Sequence, residues 1–248
     1  NSFPHSTGIA SSASGMSAIA LCLCSIEKDL GLENLSEEAF FQKASHLARL
    51  GSGSACRSVY GGMVSWGETK DLDGASNLYG TPFTDNLHPV FKTYQDTVLI
   101  VDEMEKKVSS RIGHGLMETN PFSQQRFVQA NENLAKLKAV LQSGDQEAFI
   151  KIVESEALTL HGMMMTSDPY YLLMRPNTLE IIERIFAFRE KTGLPVSFTL
   201  DAGPNIHLLY PENIKEEIKN FINSELLSYL SRGKFIDDSV GNGPERIK

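Results

Sequence analysis

The sequence predicts an α+β fold. Long stretches with helical periodicity lie at 122–141, 146–161 and 178–191, and two short apolar runs at 196–200 and 206–210 are typical of antiparallel strand partners. Because strands and helices do not alternate strictly along the chain, a doubly wound parallel sheet is disfavoured.

Two helices are predicted in the first 51 residues. The first is an amphipathic helix that ends at Gly31. Its apolar residues recur at helical spacing: Met16, Ile19, Ala20, Leu23, Ile26 and Leu30. The second begins at Ser36, an N-cap residue followed by two acids, and ends at Gly51.

Further elements follow between these helices and the end of the chain. Residues 59–66 are typical of a strand interrupted by two glycines, and 97–101 of a fully buried strand. Three helices are expected from residue 121 onward, the first ending at Gly144 and the third beginning after Pro176. A final helix is predicted over 214–230.

Composition excludes several classes of function. The 248 residues carry 23 Lys and Arg against 31 Asp and Glu, so the net charge of −8 argues against a nucleic-acid partner. The longest apolar run, at 18–24, is too short to span a bilayer. Three cysteines without framework spacing predict a reduced, cytoplasmic protein.

A loop of small residues at 4–15 leads directly into the first helix. Unpaired amides and the helix dipole favour an anion at such a position, and serine hydroxyls add donors to a phosphate or ligands to magnesium. The sequence predicts a phosphate site here, with simple helix capping as the alternative.

The second candidate segment is the glycine- and serine-rich run at 51–58, which contains Arg57. A guanidinium matches a carboxylate or phosphate through two parallel hydrogen bonds. Arg57 is therefore a ligand candidate, although a lone arginine is more often a solvated surface residue.

Two more segments lie near the carboxyl end. The apolar strand ending in Asp201 is followed by Ala-Gly-Pro-Asn, so its carboxylate either projects into a cleft or caps its own turn. Ser167 follows three methionines at a helix end and could reach a ligand, while the methionines themselves favour core packing. Neither HExxH nor CxxC occurs, so a zinc site is disfavoured.

Together these segments resemble the diphosphomevalonate decarboxylase family of the GHMP kinase superfamily. The opening loop is similar to the Pro-x-x-x-Gly-Leu-x-Ser-Ser-Ala phosphate loop, with Ile9 in place of leucine. Gly-Ser-Gly-Ser-Ala-Cys-Arg-Ser and Asp-Ala-Gly-Pro-Asn are intact, and residues 108–110 and 240–244 also match. Because the chain starts at Asn1 without the early Lys-Tyr-Trp-Gly-Lys segment, we expect residues to be missing upstream.

The resemblance implies ATP-dependent decarboxylation of mevalonate 5-diphosphate to isopentenyl diphosphate through phosphorylation of the 3-hydroxyl, with ATP and Mg²⁺. It implies Asp201 as general base and Arg57 as the carboxylate clamp. The residues implied to bind ATP phosphates are Gly8, Ala10, Ser11 and Ser12, with Ser12 also near Mg²⁺. The residues implied to bind the phosphorylated small-molecule substrate are Ser52, Ser54, Arg57 and Ser167.

The resemblance also implies an architecture. It is a GHMP two-domain fold with a ribosomal-protein-like N-terminal part at 1–107, a ferredoxin-like C-terminal domain at 108–248, and the active site in the cleft between them. Homodimers are common in the family. The alternatives are a decarboxylase acting on the monophosphate and a non-catalytic paralogue that binds a metabolite.

Overall fold

The structure is a computed structural model that describes residues 9–83, 86–103, 115–116 and 119–247. The predicted phosphate ligand Gly8 and the family-like segment 108–110 lie outside the described residues. Helices and antiparallel strands occur together, which confirms the α+β class.

The chain divides into two compact units. The first contains the described residues from 10 to 86 and from 240 to 247, and the second contains Ile9 and the described residues from 87 to 239. The family-based division at 107 and 108 stays a prediction.

The first unit is built on a helical pair, α1 (Ser11–Asp29) and α2 (Glu37–Gly51). Both predicted helices are confirmed, and the Ser36 hydroxyl accepts the N–H of Ala39 at 3.2 Å as an N-cap. The residues that α1 buries are small ones: Ala13, Ser17, Ala20 and Cys24. Opposite them α2 buries Ala44 and Ala48, and such small side chains let the two helix axes approach closely.

Three large apolar residues of α1 lie outside this contact. Ile19, Leu23 and Ile26 are each more than half exposed. The periodicity therefore predicted the helix correctly, whereas the side that packs on α2 is set by residue size.

The predicted strand over 59–66 is wrong. Only Val64–Ser65 (β1) is extended, and it pairs antiparallel with Thr81–Pro82 (β2). Gly62 has φ +69°, and a Cβ on Gly61 would lie 2.4 Å from the carbonyl oxygen of Asn242. The chain turns at this glycine pair, where it packs against the backbone of the carboxyl-terminal segment.

The second unit contains a four-stranded antiparallel sheet. Its strands are β3 (Gln95–Leu99), β4 (Ser197–Leu200), β5 (Ile206–Tyr210) and β6 (Phe235–Ser239), in the order β4-β5-β3-β6. The predicted pairing of β4 with β5 is confirmed. Strand β6 was not predicted, because its last three residues are exposed and its sequence ends in polar residues.

The second unit contains five described α-helices, of which the three long ones follow the predicted limits closely. They are α3 (Pro89–Lys92), α4 (Ser123–Ser143), α5 (Gln146–Met165), α6 (Pro176–Thr192) and α7 (Lys215–Phe221). Gly144 and Gly193 end α4 and α6 in left-handed conformation, as expected of C-terminal glycines. The predicted helix over 214–230 is α-helical only in α7, and continues as a π-helical turn at Ile222–Leu226 and a 3-10 turn at Leu227–Tyr229.

A bidentate ion pair joins α5, α6 and the residue before β4. Arg189 donates to both carboxylate oxygens of Glu154, at 2.6 and 3.0 Å, and to the carbonyl of Val196 at 2.8 Å. Glu154 is 8% exposed, so its charge depends on this arginine for compensation. In the described part of the chain, no helix is long and apolar enough to cross a membrane.

Replacement of Glu154 by alanine is expected to destabilise the second unit by about 3 kcal/mol, because it leaves the arginine charge half-buried and unpaired. The matched control is Glu147→Ala, also on α5, which removes an exposed pair with Lys151 and should cost less than about 1 kcal/mol. Urea unfolding followed by circular dichroism measures both. Equal losses in the two variants would contradict this role for the pair.

Candidate active site

The amino end of α1 is suited to an anion. Ala10 is the N-cap residue in left-handed conformation, with φ 58°, and makes no side-chain cap hydrogen bond, and the first turn of α1 contains no acidic residue. By contrast, α2 has the Ser36 cap and two glutamates at the same place. The first amides of α1 and its dipole therefore favour a bound phosphate.

A hydrogen bond joins this helix end to the second candidate segment. The hydroxyls of Ser12 and Ser52 lie 3.1 Å apart. Two segments separated by 40 residues, both predicted from sequence as ligand sites, therefore meet within the first unit. Ser12 is exposed and Ser52 and Ser54 are half-buried, so these hydroxyls border solvent.

The backbone of the Arg57 loop is held by a fully buried serine. The hydroxyl of Ser45, on α2, donates to the carbonyl of Cys56 at 2.7 Å and accepts the N–H of Gly80 at 2.8 Å. A Cβ on Gly80 would lie 2.8 Å from that same carbonyl, so only glycine fits there. The short 3-10 turn Gly53–Cys56 is thereby fixed against the helical pair.

Arg57 is exposed at the end of this turn. Its N–H donates to the carbonyl of Ser54 at 3.1 Å, which orients the backbone. Among the residues that the structure describes, Arg57 is the one arginine whose guanidinium has no hydrogen-bond or ion-pair partner. The others bind a carboxylate or a carbonyl: Arg49, Arg126, Arg175, Arg184, Arg189, Arg232 and Arg246.

Cys56, beside this arginine, is not a candidate nucleophile. Burial raises the pKa of its thiol, and the charge of Arg57 only partly opposes that effect. The Sγ atom donates to the carbonyl of Gly53 at 3.1 Å. The cysteine therefore supports the turn as a neutral thiol.

The third candidate segment lies in the second unit, at the end of β4. Asp201 is exposed, whereas the four residues after it are buried. One carboxylate oxygen accepts the N–H of Ala202 at 2.7 Å, so part of the turn-capping alternative is observed. No lysine or arginine in the described residues forms an ion pair with Asp201, so its negative charge is presented to solvent.

Buried polar side chains fix the turn that follows Asp201. The Thr178 hydroxyl donates to the carbonyl of Pro204 at 2.7 Å, and the Asn205 side-chain oxygen accepts the N–H groups of Val101 and Asp102 at 2.8 and 3.0 Å. Sequence reasoning missed Thr178 and Ser45, since a helical serine or threonine without a motif gives no signal of its partner.

Ser167 lies at the end of α5 and is 5% exposed. Its hydroxyl is within hydrogen-bond distance of the carbonyls of Met164, at 2.9 Å, and Pro169, at 2.8 Å. The single proton is thus used inside the turn, and only the oxygen is left to accept from a ligand. Its predicted role in substrate binding stays a prediction.

Magnesium would be held here through oxygen atoms. Across the described ranges, no three His, Cys, Asp or Glu side chains cluster as a metal site. The Ser12 hydroxyl is an oxygen ligand of the kind that Mg²⁺ accepts alongside phosphate oxygens, and its place in the first turn of α1 fits that role. The meeting of Arg57 with Asp201 at one substrate stays a prediction.

Two family models match this chain, one over its first part and one over its second. The family model described as the diphosphomevalonate decarboxylase-like N-terminal domain matches residues 1–78. The model described as the mevalonate 5-diphosphate decarboxylase C-terminal domain matches residues 97–244, more than half of the chain.

Curated relatives are longer than this chain. Diphosphomevalonate decarboxylase from Ganoderma lucidum is 30% identical over 97% of the chain and 58% of the relative. The corresponding protein from Saccharomyces cerevisiae is 29% identical over 90% of the chain and 54% of the relative, and the human one 28% over 83% and 48%. The chain thus spans about half the length of the curated relatives it matches.

Solved structures show the same likeness. Mevalonate diphosphate decarboxylase from Staphylococcus aureus is 29% identical, with TM-score 0.79 over 97% of this chain and 68% of that one. The same figures hold for MDDEF, solved in complex with MVAPP, AMPPCP and magnesium. The chain therefore belongs to the diphosphomevalonate decarboxylase family.

Proposed function

We propose that the protein catalyses ATP-dependent decarboxylation of mevalonate 5-diphosphate to isopentenyl diphosphate. The observation that carries the proposal is the exposed guanidinium of Arg57, which has no partner among the described residues and stands on a rigid loop hydrogen-bonded to the amino end of α1. Similarity to MDDEF and to the Enterococcus faecalis enzyme, whose ATP binding is described as mediated by mevalonate diphosphate, supports the same reading.

The first chemical step makes a leaving group. A tertiary hydroxyl departs poorly, and phosphorylation converts it into a phosphate ester that departs well. Asp201 would accept the proton of the 3-hydroxyl as the hydroxyl oxygen attacks the γ-phosphorus of ATP. The bond between that phosphorus and the bridging oxygen breaks, and ADP leaves with its electron pair. The exposure of Asp201 and its freedom from cationic partners in the described chain leave it available as a base.

The second step breaks two bonds together. The C3–O bond cleaves with its electron pair leaving on phosphate, and the C1–C2 bond cleaves so that its electron pair forms the C2=C3 double bond and carbon dioxide departs. Arg57 would bind the substrate carboxylate in two parallel hydrogen bonds and hold it in the orientation for departure.

Phosphate groups are assigned to the serine-rich elements. The amides of Ala10, Ser11 and Ser12 at the start of α1 would bind ATP phosphates, together with Gly8. Magnesium, when bound, neutralises charge on those phosphates. Ser52 and Ser54 on the Arg57 loop, and Ser167 at the end of α5, would bind the substrate's own phosphates or carboxylate.

Location and assembly are part of the proposal. The three cysteines of the chain are free thiols in the structure, which supports a reducing compartment, and we infer the cytoplasm. A homodimer is inferred from the family alone.

The direct test is a coupled assay of ADP and carbon dioxide release. It should be run on the longest native chain that contains these 248 residues, with mevalonate diphosphate and, separately, mevalonate monophosphate. Equimolar ADP and carbon dioxide from the diphosphate support the proposal. Turnover of the monophosphate alone would assign the other decarboxylase, and binding without turnover would indicate a non-catalytic paralogue.

Arg57→Met is expected to lower carbon dioxide release at least about a hundredfold, because the carboxylate loses its positioning group. Lys70→Met, which removes an exposed charge from the same unit, is the control and should leave the rate unchanged. Activity within a few-fold of the native rate in Arg57→Met would remove this arginine from the mechanism.

Asp201→Asn is expected to lower turnover by about 10² to 10⁴ while leaving substrate affinity largely intact, since a general base acts on the step and not on binding. Asp73→Asn, at an exposed position in the first unit, serves as control. Rates and dissociation constants come from the same coupled assay and from calorimetry. A variant that loses binding in proportion to rate would assign Asp201 to substrate binding instead.

A further inference from the structure

We propose that His161 is a positioning residue for Asp201, acting through one peptide group and not through the substrate. This inference rests on the proposed function, in which Asp201 is the base. It concerns a histidine that has no place in the mechanism above and that lies on α5, two turns beyond the Glu154–Arg189 ion pair.

The contact is between a ring nitrogen and a main-chain carbonyl. Nε2 of His161 lies 3.1 Å from the backbone oxygen of Asp201. Because a carbonyl oxygen can only accept, Nε2 must carry the proton, which fixes the tautomer of the ring. His161 is 1% exposed, and this burial lowers the pKa of its imidazole, so the ring is neutral at pH 7 and a single N–H is available.

The same peptide group also holds the carboxylate. The carbonyl of Asp201 and the N–H of Ala202 belong to one planar unit, and that N–H donates to the Asp201 carboxylate at 2.7 Å. His161 therefore fixes the carbonyl oxygen of a planar peptide group whose N–H binds the carboxylate. Rotation of this peptide group would move the N–H away from the carboxylate.

The other supports of the turn act further along the chain. Thr178 holds the carbonyl of Pro204, and Asn205 is held by the backbone of residues 101 and 102. Gly203 also donates to the Asp201 carbonyl, at 2.7 Å, but it is part of the same turn and moves with it. Among the described residues, His161 is the side chain from another element that fixes the first peptide of the turn.

A histidine that only fills space in the core would tolerate different substitutions from one that positions Asp201. It would require only volume, so leucine would replace it at a modest cost spread over the core. A positioning histidine requires a donor at the place of Nε2, which the side-chain amide of glutamine can supply and leucine cannot. The pair His161→Gln and His161→Leu therefore separates the two roles.

The first measurement is amide hydrogen exchange of Ala202 and Gly203 by NMR, on the chain itself. His161→Leu should speed exchange of these two amides by about tenfold, the effect of losing one buried hydrogen bond, and His161→Gln should restore most of the protection. Phe149→Leu, a buried change elsewhere on α5, is the control for general loss of stability. Equal acceleration in all three variants, or none in His161→Leu, would overturn the proposal.

The native protein provides a measurement that does not depend on folding of the variants. A long-range ¹H–¹⁵N spectrum should show His161 protonated at Nε2 and not at Nδ1 between pH 6 and 8. Protonation at Nδ1 in that range would remove the hydrogen bond and the proposal with it.

Kinetic measurements test whether His161 affects the reaction step assigned to Asp201. In the decarboxylation assay His161→Leu should lower kcat about tenfold with KM nearly unchanged, and His161→Gln should recover most of kcat. A loss confined to KM would contradict positioning of the base. If the native protein releases no carbon dioxide, the proposed function fails, while hydrogen exchange and the tautomer still decide whether His161 positions Asp201.

Discussion

The buried hydroxyl of Ser45 is the constraint on which the candidate site depends. It holds the carbonyl of Cys56 and the N–H of Gly80 at once, so the turn before Arg57 has little freedom. A guanidinium on a mobile loop would lose conformational entropy on binding a carboxylate. The backbone of this loop is already ordered in the folded protein, so ligand binding would reduce the conformational entropy of the exposed side chain only.

Asp201, in the second unit, is likewise an exposed charged side chain on a backbone held by buried polar side chains. Its side chain is exposed, whereas its main-chain carbonyl accepts a hydrogen bond from His161 and the buried turn that follows is held through Thr178 and Asn205. Arg57 in the first unit and Asp201 in the second therefore each lack an ionic partner in the described chain, and each lies on a backbone whose polar groups are hydrogen-bonded to buried side chains. Positioned charges of this kind stabilise developing charge without reorganising during the reaction.

Periodicity and capping residues predicted most of the fold, because helix ends such as Ser36, Gly144 and Gly193 have local causes. Elements whose form depends on distant neighbours were missed. The turn at Gly61 is imposed by the backbone of residues 241–243, and β6 is specified by pairing with β3 more than by its own apolar pattern. The same holds for the candidate site. Sequence motifs identified Arg57, whereas the buried side chains that hold the backbone around the site, Ser45 and Thr178, have no sequence signature.

The most direct test of the account compares two ligands that differ in the carboxylate. Isopentenyl diphosphate keeps the diphosphate but lacks the carboxylate that Arg57 is proposed to bind. Calorimetry should show that Arg57→Met weakens binding of mevalonate diphosphate by about tenfold or more, the value of a charge-assisted pair, and leaves isopentenyl diphosphate affinity unchanged. Equal weakening of both ligands, or of neither, would contradict the assignment of Arg57 to the carboxylate.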